Sequence, residues 1–203
     1  MNNTILGLDV STSTVGVCLM DENGKLIELT HITPKVKKPL PESKLEILFK
    51  KSDIVTEFLS KYKKMNVKRI IIEEPLLNSN NIRTCNILVK FNGMIAKSVF
   101  DTFGITSDYI SSYDARKYGF PELMKPRTHK KNGTPVRKLG KPVLFGGHSF
   151  SADKKHIIWE KVADLEPSII WDYNRHNIIS KYSYDRSDAY TAILGFMKKE
   201  QGW

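Results

Sequence analysis

TILGLDV, Thr4–Val10, is apolar apart from Thr4 and a single acid, Asp9, near its end, and STSTVGVCLM follows at once. Residues 15–20 of that second run are apolar at odd and even positions alike, the pattern of a strand buried on both faces of a sheet. Asn23 and Gly24 then supply residues that tolerate the positive φ of a type I′ hairpin turn, and LIELTHI returns as a third strand. A three-stranded meander puts the Asp9 carboxylate on its first strand, in the middle of a sheet. A charge buried there costs several kcal/mol unless something compensates it. The alternative is a strand-end carboxylate that faces solvent, and the positions of the other acids decide between the two.

A chain of 203 residues with 40% hydrophobic and 27% charged residues suits one globular domain, here with a basic insertion at about residues 116–148. The net charge of +10 favours a polyanionic partner, nucleic acid before an acidic membrane surface. Cys18 and Cys85 stand in apolar segments without paired spacing or a neighbouring histidine cluster, which predicts reduced core thiols and neither a disulfide nor a zinc site. With no signal peptide before Thr4 and no apolar run of membrane-spanning length, the expectation is a cytoplasmic protein of a bacterium or a phage-infected host.

After the meander comes a proline- and lysine-rich connection, then a helix with Leu45, Leu48, Phe49, Ser52, Val55, Leu59 and Tyr62 at helical spacing. Ser43 and Glu46 have capping-box spacing at its start, and Lys61, Lys63 and Lys64 suit its C-terminal end. VKRIIIE, Val67–Glu73, reads as a strand reached by a crossover. A helix over Ile82–Phe103 carries Ile87, Phe91, Ile95 and Val99 on one side, with Gly93 marking close packing. Residues 105–111 predict a fifth strand, 151–165 a helix, and 185–197 the last helix. Between 116 and 141, nine basic residues face one acid, Glu122, and no apolar period survives. Such a segment orders poorly without a polyanion, and Arg127, Lys130, Lys131, Arg137 and Lys138 are its candidate phosphate contacts.

Four acids stand out: Asp9, Glu73, and the pair Asp185 and Asp188, whose spacing of three puts them on one helical face. Carboxylates without histidine or cysteine suit hard cations, Mg²⁺ or Mn²⁺. Two such ions can activate water and stabilise the leaving oxygen in phosphodiester cleavage.

The order of Asp on strand one, Glu on strand four and D-x-x-D-A on the final helix resembles the RuvC Holliday junction resolvases of the RNase H-like superfamily. GLDVSTSTVG, LPESKLEIL, RIIIEEPL, SADKKHIIWEKV and YDRSDAYTAIL carry the resemblance along most of the chain. It implies an α/β, RNase H-like fold, a five-stranded mixed sheet ordered 3-2-1-4-5 and flanked by helices, with Asp9, Glu73, Asp185 and Asp188 as metal-binding and catalytic tetrad. It further implies two Mg²⁺ ions, for which Mn²⁺ may substitute, a homodimer, and four-way or branched DNA as substrate. The family's phosphate-side lysines fall on Lys117 and Lys154, with Lys155 the alternative to the second and Arg116 beside the first. Val10 and Ser11 stand where a Pro-Gly is common, and Pro75, Leu76 and Leu77 where the family has an aromatic wedge. The long basic insertion suggests a phage-type variant. The competing readings are an RNase H-like nuclease acting on a hybrid, flap or single strand, a phosphotransferase of the actin and sugar-kinase superfamily, and a non-catalytic junction-binding protein. The kinase reading needs a second glycine-rich phosphate loop and about twice the length.

Overall fold

A computed structural model describes residues 2–75, 81–129, 134–136, 138–140, 142–144 and 154–201. Strands β1 (Thr4–Val10), β2 (Val15–Asp21) and β3 (Leu26–Ile32) form the expected antiparallel meander. Helix α1 (Lys44–Ser60) and a 3-10 turn (Lys61–Met65) lead to β4 (Val67–Glu73), which lies parallel to β1. Helix α2 (Ile82–Phe103) returns to β5 (Asp108–Ile110), parallel to β4. The sheet order is β3-β2-β1-β4-β5, as expected. Helices α3 (Ser112–Gly119), α4 (Lys154–Leu165) and α5 (Lys181–Glu200) follow.

Strand alternation divides the core into two layers. Leu6, Leu8, Val17, Leu19, Ile70 and Ile72 face α1 and α2, against Val55, Leu59, Phe91 and Ile95. Ile5, Cys18, Met20 and Ile71 face the other way, against Ile158 and Val162 of α4 and Ala189 and Ile193 of α5. Burying each large aliphatic side chain contributes about 1.5–3 kcal/mol, so a central strand covered on both faces is held firmly. Cys18 and Cys85 are both buried, as expected of core thiols.

Two glycines set the distance between α5 and the sheet. A Cβ on Gly7 would meet the Ile193 side chain at 2.5 Å and the Ala189 carbonyl at 2.8 Å, and one on Gly16 would collide with the Asp185 backbone carbonyl. The helix therefore lies bare against β1 and β2. On its other side, the backbone of Ala115 in α3 takes the space a Cβ on Gly195 would need.

Several local expectations are corrected. The β2–β3 connection is a longer turn than type I′: of Asn23 and Gly24 only Gly24 has positive φ, at 82°. The Asp21 carboxylate organises it by accepting from the Asn23 and Lys25 amides, each at 2.9 Å. Ser43 caps α1 as expected, accepting from the Glu46 amide at 3.4 Å, but Leu45 and Phe49 are exposed, and the buried stripe is Leu48, Ser52, Val55 and Leu59. The three lysines after α1 lie in or beside the 3-10 turn instead of closing the helix. The fifth strand is only three residues long, because hydrogen bonding to β4 covers no more of the predicted segment. Helix α5 starts four residues earlier than predicted, which moves Asp185 from the helix start into its second turn.

The basic insertion is less irregular than its composition suggests. Arg116 and Lys117 belong to α3, which Ser111 caps. Strands β6 (Met124–Pro126) and β7 (Pro142–Leu144) pair as an antiparallel ribbon, and Tyr113 donates from Oη to the Pro142 carbonyl at 3.0 Å. Further out, His129 bridges Pro135 and the Val136 amide donates to the Thr128 carbonyl at 2.9 Å. Backbone pairing, which needs no apolar side chains, builds this base. Lys130, Lys131 and Arg137 lie outside the described residues. No helix among the described residues is long and apolar enough to cross a membrane.

Candidate active site

The four acids predicted to act together share one cleft. Asp9 has the parity of Ile5 and Gly7, and Glu73 that of Ile71, so both point to the α5 side of the sheet. Leu8 pairs with Ile72, which makes Asp9 and Glu73 neighbours at the next position along the two parallel strands. The contact of α5 over Gly16, the direct partner of Asp9, brings Asp185 above the same spot, and Asp188 follows one turn later. A cleft of about 230 Å³ is lined by Asp9, Glu73, Asp185 and Asp188 together with Arg116, Lys155, Ser11 and Glu74.

Two cations hold the acids. Lys155 Nζ lies 2.8 Å from Asp188 Oδ2 and 3.5 Å from Asp185 Oδ1, while Arg116 Nη2 lies 3.9 Å from Asp188 Oδ1. Asp188 is 4% exposed, so its charge is compensated where water cannot do it. Burial, with Asp188 and Asp185 adding their repulsion, pushes the Asp9 carboxyl up to about 8 against the pull of Lys155 and Arg116. Burial and the charges of Asp9 and Asp188 likewise raise Glu73 well above the carboxylate range, and burial raises Asp185. Burial would lower the Lys155 ammonium, but Asp188 and Asp9 outweigh it and raise it. Fully ionised, the four acids would carry more negative charge than Lys155 and Arg116 balance.

This donor set is all oxygen and suits a hard divalent cation. Among the described residues, no three histidine, cysteine or acidic side chains converge closely enough to hold an ion as they stand. The Lys155 ammonium lies against the two α5 acids, while burial first and the neighbouring acids second hold Asp9 and Glu73 toward their protonated, neutral forms.

The basic candidates separate. Arg116 and Lys155 reach the acids. Lys117 instead donates to Tyr118 Oη at 3.3 Å and lines a different cavity with Lys198, and Lys154 is exposed at the first described turn of α4. Arg127 is half-buried and Lys138 exposed on the insertion. Sequence reasoning did not select Ser11 or Glu74 as site residues. Ser11 Oγ closes the β1–β2 turn by donating to the Thr14 carbonyl at 2.8 Å and accepting from its amide at 3.1 Å. Glu74 borders the cleft although alternation assigns it to the opposite face, because β4 ends at Glu73. A larger groove of about 630 Å³ between α1 and α2 is lined by Lys44, Arg83 and Lys90 with apolar residues, and no acid lines it among the described residues.

No family model matches the sequence, and no curated protein matches it either. Among solved structures, the chain is similar to RuvC from Thermus thermophilus, with a TM-score of 0.56 at 13% identity over 98% of this chain and 96% of that one. The same T. thermophilus protein in complex with Holliday junction substrate matches with a TM-score of 0.56 at 13% identity, over 98% of this chain and 95% of that one. The sheet order and these likenesses define the class, an RNase H-like α/β fold. Within that class the fold is RuvC-like.

Proposed function

We propose that this chain is a divalent-metal-dependent, structure-selective endodeoxyribonuclease that cuts four-way or branched DNA and acts as a homodimer. The observation that carries the reading is the gathering of Asp9, Glu73, Asp185 and Asp188 from three separate elements into one cleft beside Lys155 and Arg116. A net charge of +10 suits a polyanionic substrate.

Asp9, Glu73, Asp185 and Asp188 would hold the ions, Mg²⁺ with Mn²⁺ able to substitute, which supply an activated water and stabilise the leaving oxygen. Asp9 sits between β2 and β4, whose rigid backbone fixes its position, and Glu73 stands beside it. Lys155 and Arg116 neutralise the α5 acids at rest and place positive charge where a pentacovalent phosphorane gathers negative charge. Exposed Lys138 and half-buried Arg127 extend the cationic surface along the insertion.

A panel of synthetic four-way junctions, flaps, RNA–DNA hybrids, single strands and linear duplexes tests the proposal in Mg²⁺, Mn²⁺, Ca²⁺ and EDTA. Branched DNA is expected to be cut in Mg²⁺ or Mn²⁺, bound but poorly cut in Ca²⁺, and uncut in EDTA. Cleavage confined to hybrids or single strands moves the assignment to another nuclease of the same fold. Junction binding without cutting in any metal makes it a non-catalytic junction-binding protein.

A further inference from the structure

A second surface adjoins the carboxylates in the same row of the sheet. Asp9 pairs with Gly16, and Gly16 with His31 on the edge strand β3. Two strand spacings put His31 about 10 Å from Asp9, the span of roughly three stacked nucleotides. There the His31 ring stacks on Tyr182 of α5, with centroids 4.8 Å apart and planes 8° from parallel.

The segment before α5 is a tight hairpin closed by a bridge between Tyr173 and Ile179. Asn174 Oδ1 accepts from the His176 and Ile178 amides at 2.8 and 3.1 Å, and Asn177 takes a φ of 57° at the tip. The base of the hairpin is braced from α5. Arg186, 6% exposed, donates to Asp172 Oδ2 at 3.1 Å and to the Ile170 carbonyl at 3.0 Å, and lies over the Trp171 ring. Ser183 Oγ bonds both the amide and the carbonyl of Asp172 at 3.0 Å. A buried guanidinium is a costly brace, so the loop it fixes is held in one shape.

What the brace holds up is apolar and cationic. Tyr173 is 53% and Ile178 60% exposed, Arg175 and Lys181 are exposed beside them, and residues 173–182 contain no acid; Asp172 at the hairpin base, 3.7 Å from His31 Nδ1, is paired with Arg186. An aromatic side chain offers a face to any nucleobase, and a cation suits the phosphate next to it. The helix that braces this hairpin also carries Asp185 and Asp188.

We infer that the hairpin and the His31–Tyr182 stack form a subsite for the nucleotides flanking the scissile phosphate, with Tyr173 and Ile178 packing against an unpaired base of the branch. The inference rests on the nuclease reading for its substrate. It also gives this chain an apolar element for opening a branch point on the α5 side of the sheet.

The test uses four-way junctions carrying one 2-aminopurine at successive positions through the crossover, bound in Ca²⁺. Wild-type protein is expected to change the emission at one or more positions next to the crossover. A Tyr173→Ala/Ile178→Ser double variant should lose most of that change and bind the junction at least about fivefold more weakly, with an unchanged salt dependence and melting temperature. Arg175→Ala with Lys181→Ala should instead flatten the salt dependence, by up to about two in the slope of log K against log salt. Wild-type emission and affinity in the double variant would overturn the subsite while leaving the nuclease reading intact. A wild-type protein that binds junctions but never cuts them sinks only the nuclease reading, and the emission series still decides the subsite. Failure to bind any branched DNA sinks both.

Discussion

Asp9→Asn should remove cleavage and at the same time stabilise the protein at alkaline pH. Burial and the neighbouring acids displace the Asp9 carboxyl from 3.8 to about 8 in the folded chain. The folded state therefore binds this proton more tightly than the unfolded state. The stability tied to the proton is fully present below about pH 4 and is lost as pH rises to about 8. At about 1.4 kcal/mol per pH unit, the displacement sets a ceiling of about 5–6 kcal/mol. Rearrangement of the cleft and entry of water reduce the realised cost to about 1–3 kcal/mol. An asparagine keeps the shape without the charge, so at pH 8.5 the variant should melt about 3–10 °C above wild type, with little difference at pH 5. Thermal melts at half-unit pH steps in EDTA measure this, and repeating them in Mg²⁺ adds a second reading. The cation should raise the wild-type midpoint at pH 8.5 and affect the variant much less. A variant no more stable than wild type at pH 8.5 in EDTA would show that the Asp9 charge is already compensated and that the cleft has no surplus.

Glu73→Gln should bind junctions nearly as well as wild type yet keep less than about 1% of its cleavage rate, since the amide keeps the shape of Glu73 without the charge that would hold a divalent ion beside Asp9; more activity than that refutes the assignment. Lys155→Ala should cost at least about 100-fold in cleavage while Lys154→Ala stays near wild type; equal effects would contradict the separation seen between them. Gly16→Ala should destabilise the fold by about 1–3 kcal/mol, read as a lower melting temperature, because its methyl must displace the Asp185 backbone. Replacing Arg127, Lys130, Lys131, Arg137 and Lys138 by alanine should flatten the salt dependence of junction binding by up to about four to five in slope; an unfolded variant with an unchanged slope would make the segment structural.

Most of the sheet was legible because its signal is local. Alternation in TILGLDV and VKRIIIE is enough to put Asp9 and Glu73 on one face, and the spacing of Asp185 and Asp188 does the same on a helix. Neighbouring lysines were harder. Lys154 and Lys155 differ by about 100° around α4, and choosing between them requires knowing how that helix is rotated against α5. The exposure of Leu45 and Phe49 was hidden for a related reason, since an apolar stripe wider than its partner's face reads as wholly buried. The His31–Tyr182 stack joins residues far apart in sequence through the pairing of β3 with β2, and no spacing rule reaches across that distance. The ribbon at the base of the insertion rests on backbone hydrogen bonds, which leave no apolar period to read.

The bare contact of α5 on Gly7 and Gly16 also governs when the cleft can exist. Asp9 and Glu73 are set by the sheet, but Asp185 and Asp188 arrive only when α5 docks, and the ion pairs that Lys155 and Arg116 make with them form only then. A molecule whose α5 has lifted away keeps only the two carboxylates of the sheet. Whatever chemistry needs all four acids is thereby tied to the seating of one helix on two glycines, and a chain that has formed its sheet alone holds half of the set.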